Sequence, residues 1–416
     1  MDKILKQIKN TWNEISYETC IFLYLFLRFI IFMPTKMLTW VSTYYACNYS
    51  YGIIPRGFIG TIFKLVTGGD ISSINAHSFA FVGIYILIIL ISILVGKMIR
   101  TVEEGTKRKT MFVLAIIYFF MPFSICYLFD EENFGRFDLY LYIITIVQIL
   151  LIFKKPTFLK MIVCGVLSCI CVMIHEAYAL YIFPIFFVVL LYILYKNKFT
   201  KMLTLGSILI LLMIFVTTVY FNFFTTINID NSNEYISQLR KSTDLKINEY
   251  CIQYEYYMHS ISDHKEYFID RLITYNICGL LIVIFILILP INIVIFKFIK
   301  NALKEYKRKL FYYIIIVMLI STVVYIPLFV FTSDWGRWLA SVYNCIIAIM
   351  SIILIENNEK ILEIIKFEKT NKYVCTSKCF IIASIIFFTS SLGVFQTAGI
   401  YNWLFGIIKE VETILL

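Results

Sequence analysis

Apolar runs near or above the ~18 residues needed to cross a bilayer recur along this chain, and they constrain its fold more than any motif does. They fall near 19–35, 78–96, 111–129, 137–153, 159–174, 178–195, 202–222, 272–298, 309–332, 338–355 and 378–396. Inside hydrocarbon every backbone N–H and C=O needs a partner, so such runs are spanning helices unless they are strands of a closed barrel. Barrel strands alternate apolar and polar residues over short segments. No run here does so. The sequence therefore predicts an all-α, polytopic integral membrane protein with about 11 transmembrane helices, residues 1–416 forming a single transmembrane domain. The run from Cys20 to Pro34 follows a polar N-terminus with no small-residue cleavage pattern after it, as in a retained signal anchor. His175-Glu176 interrupts 159–195, a stretch too long for one crossing, which predicts a tight hairpin there.

Lysine and arginine orient the map, because short cytoplasmic loops carry them in excess. With the N-terminus cytoplasmic, most of the 37 fall in the inner connectors, and the net charge of +10 needs no nucleic-acid partner to explain it. Two outer segments are long, 36–77 and 223–271. The first predicts a short interfacial or re-entrant helix over 58–66, and the second one or two amphipathic helices. The tail 397–416 is amphipathic and is expected along the outer interface. Cys47 and Cys251 both fall outside, where two free thiols are expected over a disulfide. No CxxC pair, Walker motif or dinucleotide turn is present, and neither a metal nor a cofactor is expected.

Charged chemistry gathers on the outer face. Asp334-Trp335-Gly336-Arg337-Trp338 joins two apolar runs, and Asn133-Phe134-Gly135-Arg136-Phe137 is its near-copy. Ionisable groups at the membrane boundary are costly to place, which favours a functional role. In both turns the aromatics, Trp335 and Trp338 among them, suit stacking on a sugar or on the guanidinium itself. Asp138 and Asp334 are the nearest carboxylates, and an Arg–carboxylate pair closing a helix hairpin is the competing reading. Arg56 sits in Ile54-Pro55-Arg56-Gly57, where proline fixes φ and glycine permits close approach, so its planar fork is aimed as phosphate recognition requires. An anchor to lipid phosphate would look the same. His175-Glu176 suits proton transfer or a capped hairpin. It lacks the second histidine of HExxH, which would stand at Ala179. Arg28, deep in an apolar run, either pairs with an outer carboxylate or snorkels. The expected arrangement is one outward cavity. His175, Glu176 and Asp334 are its candidate catalytic residues, and Arg56, Arg136, Asp138, Arg337, Trp335 and Trp338 its candidate substrate-binding residues.

With about eleven spans, many aromatics, a long late outer loop and arginines grouped outside, the chain resembles the bacterial O-antigen and capsule repeat-unit polymerases. The resemblance is one of architecture and residue types and assigns no residue by itself. It implies a glycosyl transfer that polymerises polyprenyl-diphosphate-linked oligosaccharides on the outer face of the cytoplasmic membrane. The outer arginines would engage the diphosphate donor. Implied partners are that lipid-linked substrate, membrane lipids and a chain-length regulator. A glycosyltransferase of the polyprenyl-phosphate-sugar class is the next reading, although its early outer carboxylate is missing before Asp70. A flippase for the same lipids is the third, and scattered mid-membrane charge would favour it.

Overall fold

The computed structural model describes residues 16–257, except positions 32, 121, 122, 154 and 226, then 334–356, with scattered positions from 269 to 328. The run expected at 378–396 and the tail 397–416 lie outside the described residues, as do all but scattered positions of the runs expected at 272–298 and 309–332. Helix α1 (Tyr17–Ile31) is followed by α2 (Thr39–Ala46), a 3-10 turn at Tyr49–Tyr51 and α3 (Gly57–Val66). Next come α4 (Ser73–Thr101), α5 (Thr106–Phe120), a 3-10 turn at Ile125–Phe129, α6 (Asp138–Phe153) and α7 (Phe158–Ile174). The short α8 (Tyr178–Tyr181) leads into α9 (Phe183–Lys196) and α10 (Lys201–Phe223), and α11 (Ser232–Ser242) and α12 (Glu249–Tyr256) follow. Last is α13 (Trp335–Glu356). Among the described residues there is no strand, only an isolated bridge between Ile71 and Thr243.

Among the described residues three helices, α4, α10 and α13, are long and apolar enough to cross a membrane, while α6, α7 and α9 are apolar but shorter. Leu205, Ile208, Leu212, Phe215 and Val216 of α10 are exposed, as are Leu23, Leu27 and Ile31 of α1. Contiguous apolar faces of this kind mark contact with lipid or with another apolar surface. The run expected over 111–129 divides. Pro122 in the sequence cannot donate to a helical ladder, and Ser124 instead caps the 3-10 turn by accepting from the Cys126 amide. The run at 178–195 also breaks, with Pro184 in the first turn of α9.

Packing is helix on helix. The α7–α10 contact is the most extensive, followed by α1 on α4 and α4 on α6. Within the bundle Gln148 of α6 donates to the Cys164 carbonyl and the Ser168 hydroxyl of α7, both at 2.8 Å, and accepts from Tyr178 at 3.3 Å. A buried amide needs such partners to be tolerated at all. Arg28 is buried and donates to the Phe119 carbonyl. Its charge offsets only part of the burial that holds the Asp130 carboxyl well above the usual carboxylate range.

One end of the bundle is capped by the two long segments folded onto each other. Ser42 donates to the Lys246 carbonyl at 2.8 Å, the Asn248 amide to Thr43 Oγ1 at 2.8 Å and the Ser73 amide to Asp244 at 2.6 Å. Helix α3 lies so close to α2 that a Cβ on Gly60 would stand 1.9 Å from the Cys47 carbonyl oxygen. The opposite end is tied by Lys196 of α9 to Glu356 of α13 at 3.3 Å.

Candidate functional site

Beneath that cap meet the N-terminal ends of α6 and α13, the His175-Glu176 hairpin after α7, the turn before α3, and α12. Two arginines organise the meeting point, and each is clasped by two carboxylates. Arg337, in the first turn of α13, donates Nε to Asp138 Oδ2 at 2.8 Å and Nη2 to Asp138 Oδ1 at 2.6 Å. Its Nη1 reaches Asp334 Oδ2 at 2.5 Å. This two-bond fork fixes orientation as well as charge. The Arg337 and Asp138 side chains are 7% and 1% exposed, so the pair is desolvated. The hydroxyls of Tyr127 and Tyr181 donate to Asp138 Oδ2 at 3.0 and 2.9 Å, filling its remaining acceptor capacity. The guanidinium also sits 5.2 Å from the Trp338 ring and 5.5 Å from the Tyr181 ring.

Arg56 forms the second clasp. It is in the left-handed region at φ 60°, a conformation that strains a residue bearing Cβ and is often found at functional sites. Arg56 Nε lies 3.1 Å from both oxygens of Glu176, and Nη2 lies 2.5 Å from Oε1. Nη1 donates to Glu255 Oε1 and to the Tyr44 hydroxyl. Tyr44 in turn donates to Glu255 Oε1 at 2.7 Å, receives the Trp40 indole N–H at 2.7 Å, and presents its ring 5.1 Å from the guanidinium.

His175 caps α7 between the clasps. Burial, and then the charge of Arg56, push its pKa down to about 4. It is therefore neutral at neutral pH. Its Nδ1 accepts from the Ala177 amide at 3.2 Å, which leaves Nε2 as the protonated nitrogen. Such an imidazole is a hydrogen-bond donor and a weak base, a different role from the near-neutral proton relay expected of it. The two carboxylates on Arg56 diverge. Burial would raise Glu176, but the guanidinium that chelates it pulls it below the usual range. Burial raises Glu255, Arg56 offsets part of this and the charge of Glu176 adds to it, leaving Glu255 above that range.

Arg136 differs from both clasped arginines. Its side chain is 12% exposed, with Nη1 3.9 Å from Asp334 and Nε 3.5 Å from the Glu132 carbonyl. Both contacts are long for hydrogen bonds, so among the described residues most of its donor fork is unfilled.

The expected residues thus converge. The charges of Arg56, Glu176, Arg337 and Asp138 all act on His175, while Arg136 and Asp334 bring the two Gly-Arg turns together. The turns are not structural copies, because Gly135 has φ 77° in a loop whereas Gly336-Arg337 is helical. Trp338 is 3% exposed and packs edge-on against Tyr181 with centroids 4.6 Å apart. Of its two expected roles, the structure shows stacking on the guanidinium. The Trp335 side chain lies outside the described residues. Sequence reasoning missed Glu255, Tyr44, Tyr127 and Tyr181; the density of tyrosine in the two outer segments was the only signal for Tyr44 and Glu255, and Tyr127 and Tyr181 lie inside apolar runs. Cys47 and Cys251 are buried free thiols. Among the described residues no group of three or more His, Cys, Asp or Glu is placed to hold a metal ion.

Below the Arg337 clasp lies an apolar cavity of ≈ 250 Å³ between α4, α5, α6, α9 and α13. Tyr118, Tyr142, Thr145, Asn344 and Ser351 are the polar groups in its wall. Tyr118 donates to Asn344 at 2.6 Å, and Asn344 to Tyr142 at 2.9 Å.

A family model described as the uncharacterised membrane protein Rv1490 matches residues 15–239. That is more than half of the 416 residues, and the chain belongs to this family of membrane proteins. No curated protein and no solved structure matches it.

Proposed function

We propose that this membrane protein is a polysaccharide repeat-unit polymerase. It would transfer a glycan from a polyprenyl-diphosphate donor to a second lipid-linked oligosaccharide on the outer face of a bacterial cytoplasmic membrane. The observation that carries the reading is the unfilled guanidinium fork of Arg136 beside two arginines already closed on carboxylates. A leaving diphosphate needs charge-assisted donors that no internal carboxylate has taken. Arg136 has them, whereas Arg56 and Arg337 shape the wall around it. The apolar cavity at the foot of the site offers room for part of an isoprenoid chain. Eleven spans with a cytoplasmic N-terminus would put the cap of α2, α3, α11 and α12 outside, where undecorated lipid-linked units arrive after flipping.

The test replaces Arg136. A donor in a preorganised site is worth about 3–4 kcal/mol of barrier, roughly a hundred- to a thousand-fold in rate. Arg136→Gln in a polymerase-deficient strain should leave protein abundance unchanged and reduce surface glycan to single repeat units. Arg136→Lys, which keeps charge but loses the fork, should restore only short chains. Wild-type chain lengths in Arg136→Gln would overturn the assignment. Loss of all outer glycan, single units included, would favour a flippase.

A further inference from the structure

We infer that Glu255 is the proton acceptor of the outer site, with Arg56 and Glu176 holding it as the more weakly bound carboxylate of a two-carboxylate clasp. The inference deepens the proposed function and rests on it only for the hydroxyl that gives up the proton.

Charge counting leads to it. Among the described residues, the clasp on Arg56 brings one guanidinium group to two carboxylates, Glu176 and Glu255. One carboxylate is therefore in excess. At Arg337 the second carboxylate, Asp334, has a side chain 37% exposed and can be solvated. The surplus lies at Arg56, where one guanidinium serves two carboxylates whose side chains are 20% and 13% exposed. Buried charges without a counter-ion are expensive, and a proton is the simplest remedy.

Bonding decides which carboxylate takes it. Glu176 receives both Nε and Nη2, the geometry in which Arg stabilises an ionised carboxylate best. Glu255 receives one guanidinium nitrogen, Nη1, and the neutral Tyr44 hydroxyl. The other titratable groups facing Glu255 do not balance its charge. Cys47 of α2 and Cys251 and Tyr254 of α12 are neutral thiols and a phenol. A carboxyl held above the usual carboxylate range by burial and by a neighbouring carboxylate is the stronger base once ionised, and it is this ionised form that accepts the proton during reaction. In the transfer, the acceptor hydroxyl oxygen bonds to the anomeric carbon and its proton passes to Glu255. The anomeric C–O bond to the diphosphate breaks with its electron pair leaving on the diphosphate.

Infrared difference spectra of the full chain in nanodiscs, between acidic and alkaline buffer, test the site without any substrate. A titrating protonated-carboxyl C=O band, distinct from those of Asp130 and Glu132, which burial also raises, should appear in the wild type, vanish in Glu255→Gln and persist at a lower midpoint in Glu176→Gln. Tyr44→Phe covers the case in which Glu255→Gln fails to fold. Removing a hydroxyl that favours the ionised form should raise the band's midpoint by on the order of one pH unit. Survival of that band in Glu255→Gln, or a midpoint unmoved in Tyr44→Phe, would overturn the inference. Under a polymerase assay the acidic limb of kcat/KM should follow the same midpoint in both proteins. A titrating Glu255 in a protein that transfers no glycan would sustain this inference and refute the reaction.

Discussion

Replacing Asp138 by Asn removes one side of a desolvated ion pair and leaves the rest of the site in place. Arg337 would lose both charge-assisted bonds to Asp138 but keep Asp334 at 2.5 Å. Breaking a buried pair costs about 3–5 kcal/mol when no counter-ion remains. With Asp334 remaining, about 3 kcal/mol is expected for Asp138→Asn. Arg337→Met strands Asp138, 1% exposed, with only the Tyr127 and Tyr181 hydroxyls. That places it at the upper end, about 5 kcal/mol. The double variant has neither charge, so its loss should fall short of the sum by about 2–3 kcal/mol, within the coupling expected for contacting residues. Asp334→Asn, at the more exposed partner, should cost under about 1 kcal/mol. Denaturant unfolding in mixed micelles, followed by tryptophan fluorescence, measures all four. Single losses that add to within about 0.5 kcal/mol in the double variant would show that Arg337 and Asp138 are independent, and the account of the site's architecture would fail with them.

Two further outcomes follow from the same geometry. Gly60→Ala should abolish the seating of α3 on α2, because the new Cβ would meet a backbone carbonyl oxygen at 1.9 Å. The cost should exceed the usual 1–3 kcal/mol of about one extra methylene in a core, read as loss of monodisperse protein on size-exclusion chromatography. For His175 the folded pKa is depressed from 6.5 to about 4, so below pH 6.5 the unfolded chain binds more protons than the folded one. Stability should therefore fall as pH drops from 6.5 to 4, by up to about 3 kcal/mol. His175→Gln should flatten that slope, and an unchanged slope would refute the neutral-imidazole account.

Much of the helical framework was legible in the sequence because apolar periodicity and length report directly on spanning segments. The Asp130–Phe137 turn, the helix within 58–66, the two helices of the late outer segment and the His175-Glu176 break all fall where expected. The runs at 111–129 and 178–195 resisted reading as single helices, since Pro122 and Pro184 act locally within stretches whose average hydropathy stays high. The site residues were recognisable as unusual, but their partners were not. Glu176 and Arg56 lie 120 residues apart, and Glu255 and Arg56 lie 199 apart. Nothing near Glu255 distinguishes it from Glu249, which forms only an exposed pair with Arg240 at 2.6 Å. An aimed arginine in sequence suggests a ligand. Here two of the three are aimed at carboxylates delivered by the tertiary fold, and the third is left with open donors.

The Asp138–Arg337 clasp also has a meaning in time. Its members are 199 residues apart, so at about 5–20 residues per second of synthesis Asp138 exists for roughly 10–40 s before its guanidinium has been made. During that interval α6 packs beside α4 and α7 with a carboxylate at its tip that Arg136, two residues earlier, offsets only in part. Water at the membrane surface, a borrowed proton or the insertion machinery has to shelter it. A nascent chain ending after α12 would hold Arg56, Glu176 and Glu255 together and still carry an open acidic wound where α13 belongs. Arrival of α13 thus closes the acidic end of α6, and chains stalled before it are the ones a membrane quality-control protease should recognise.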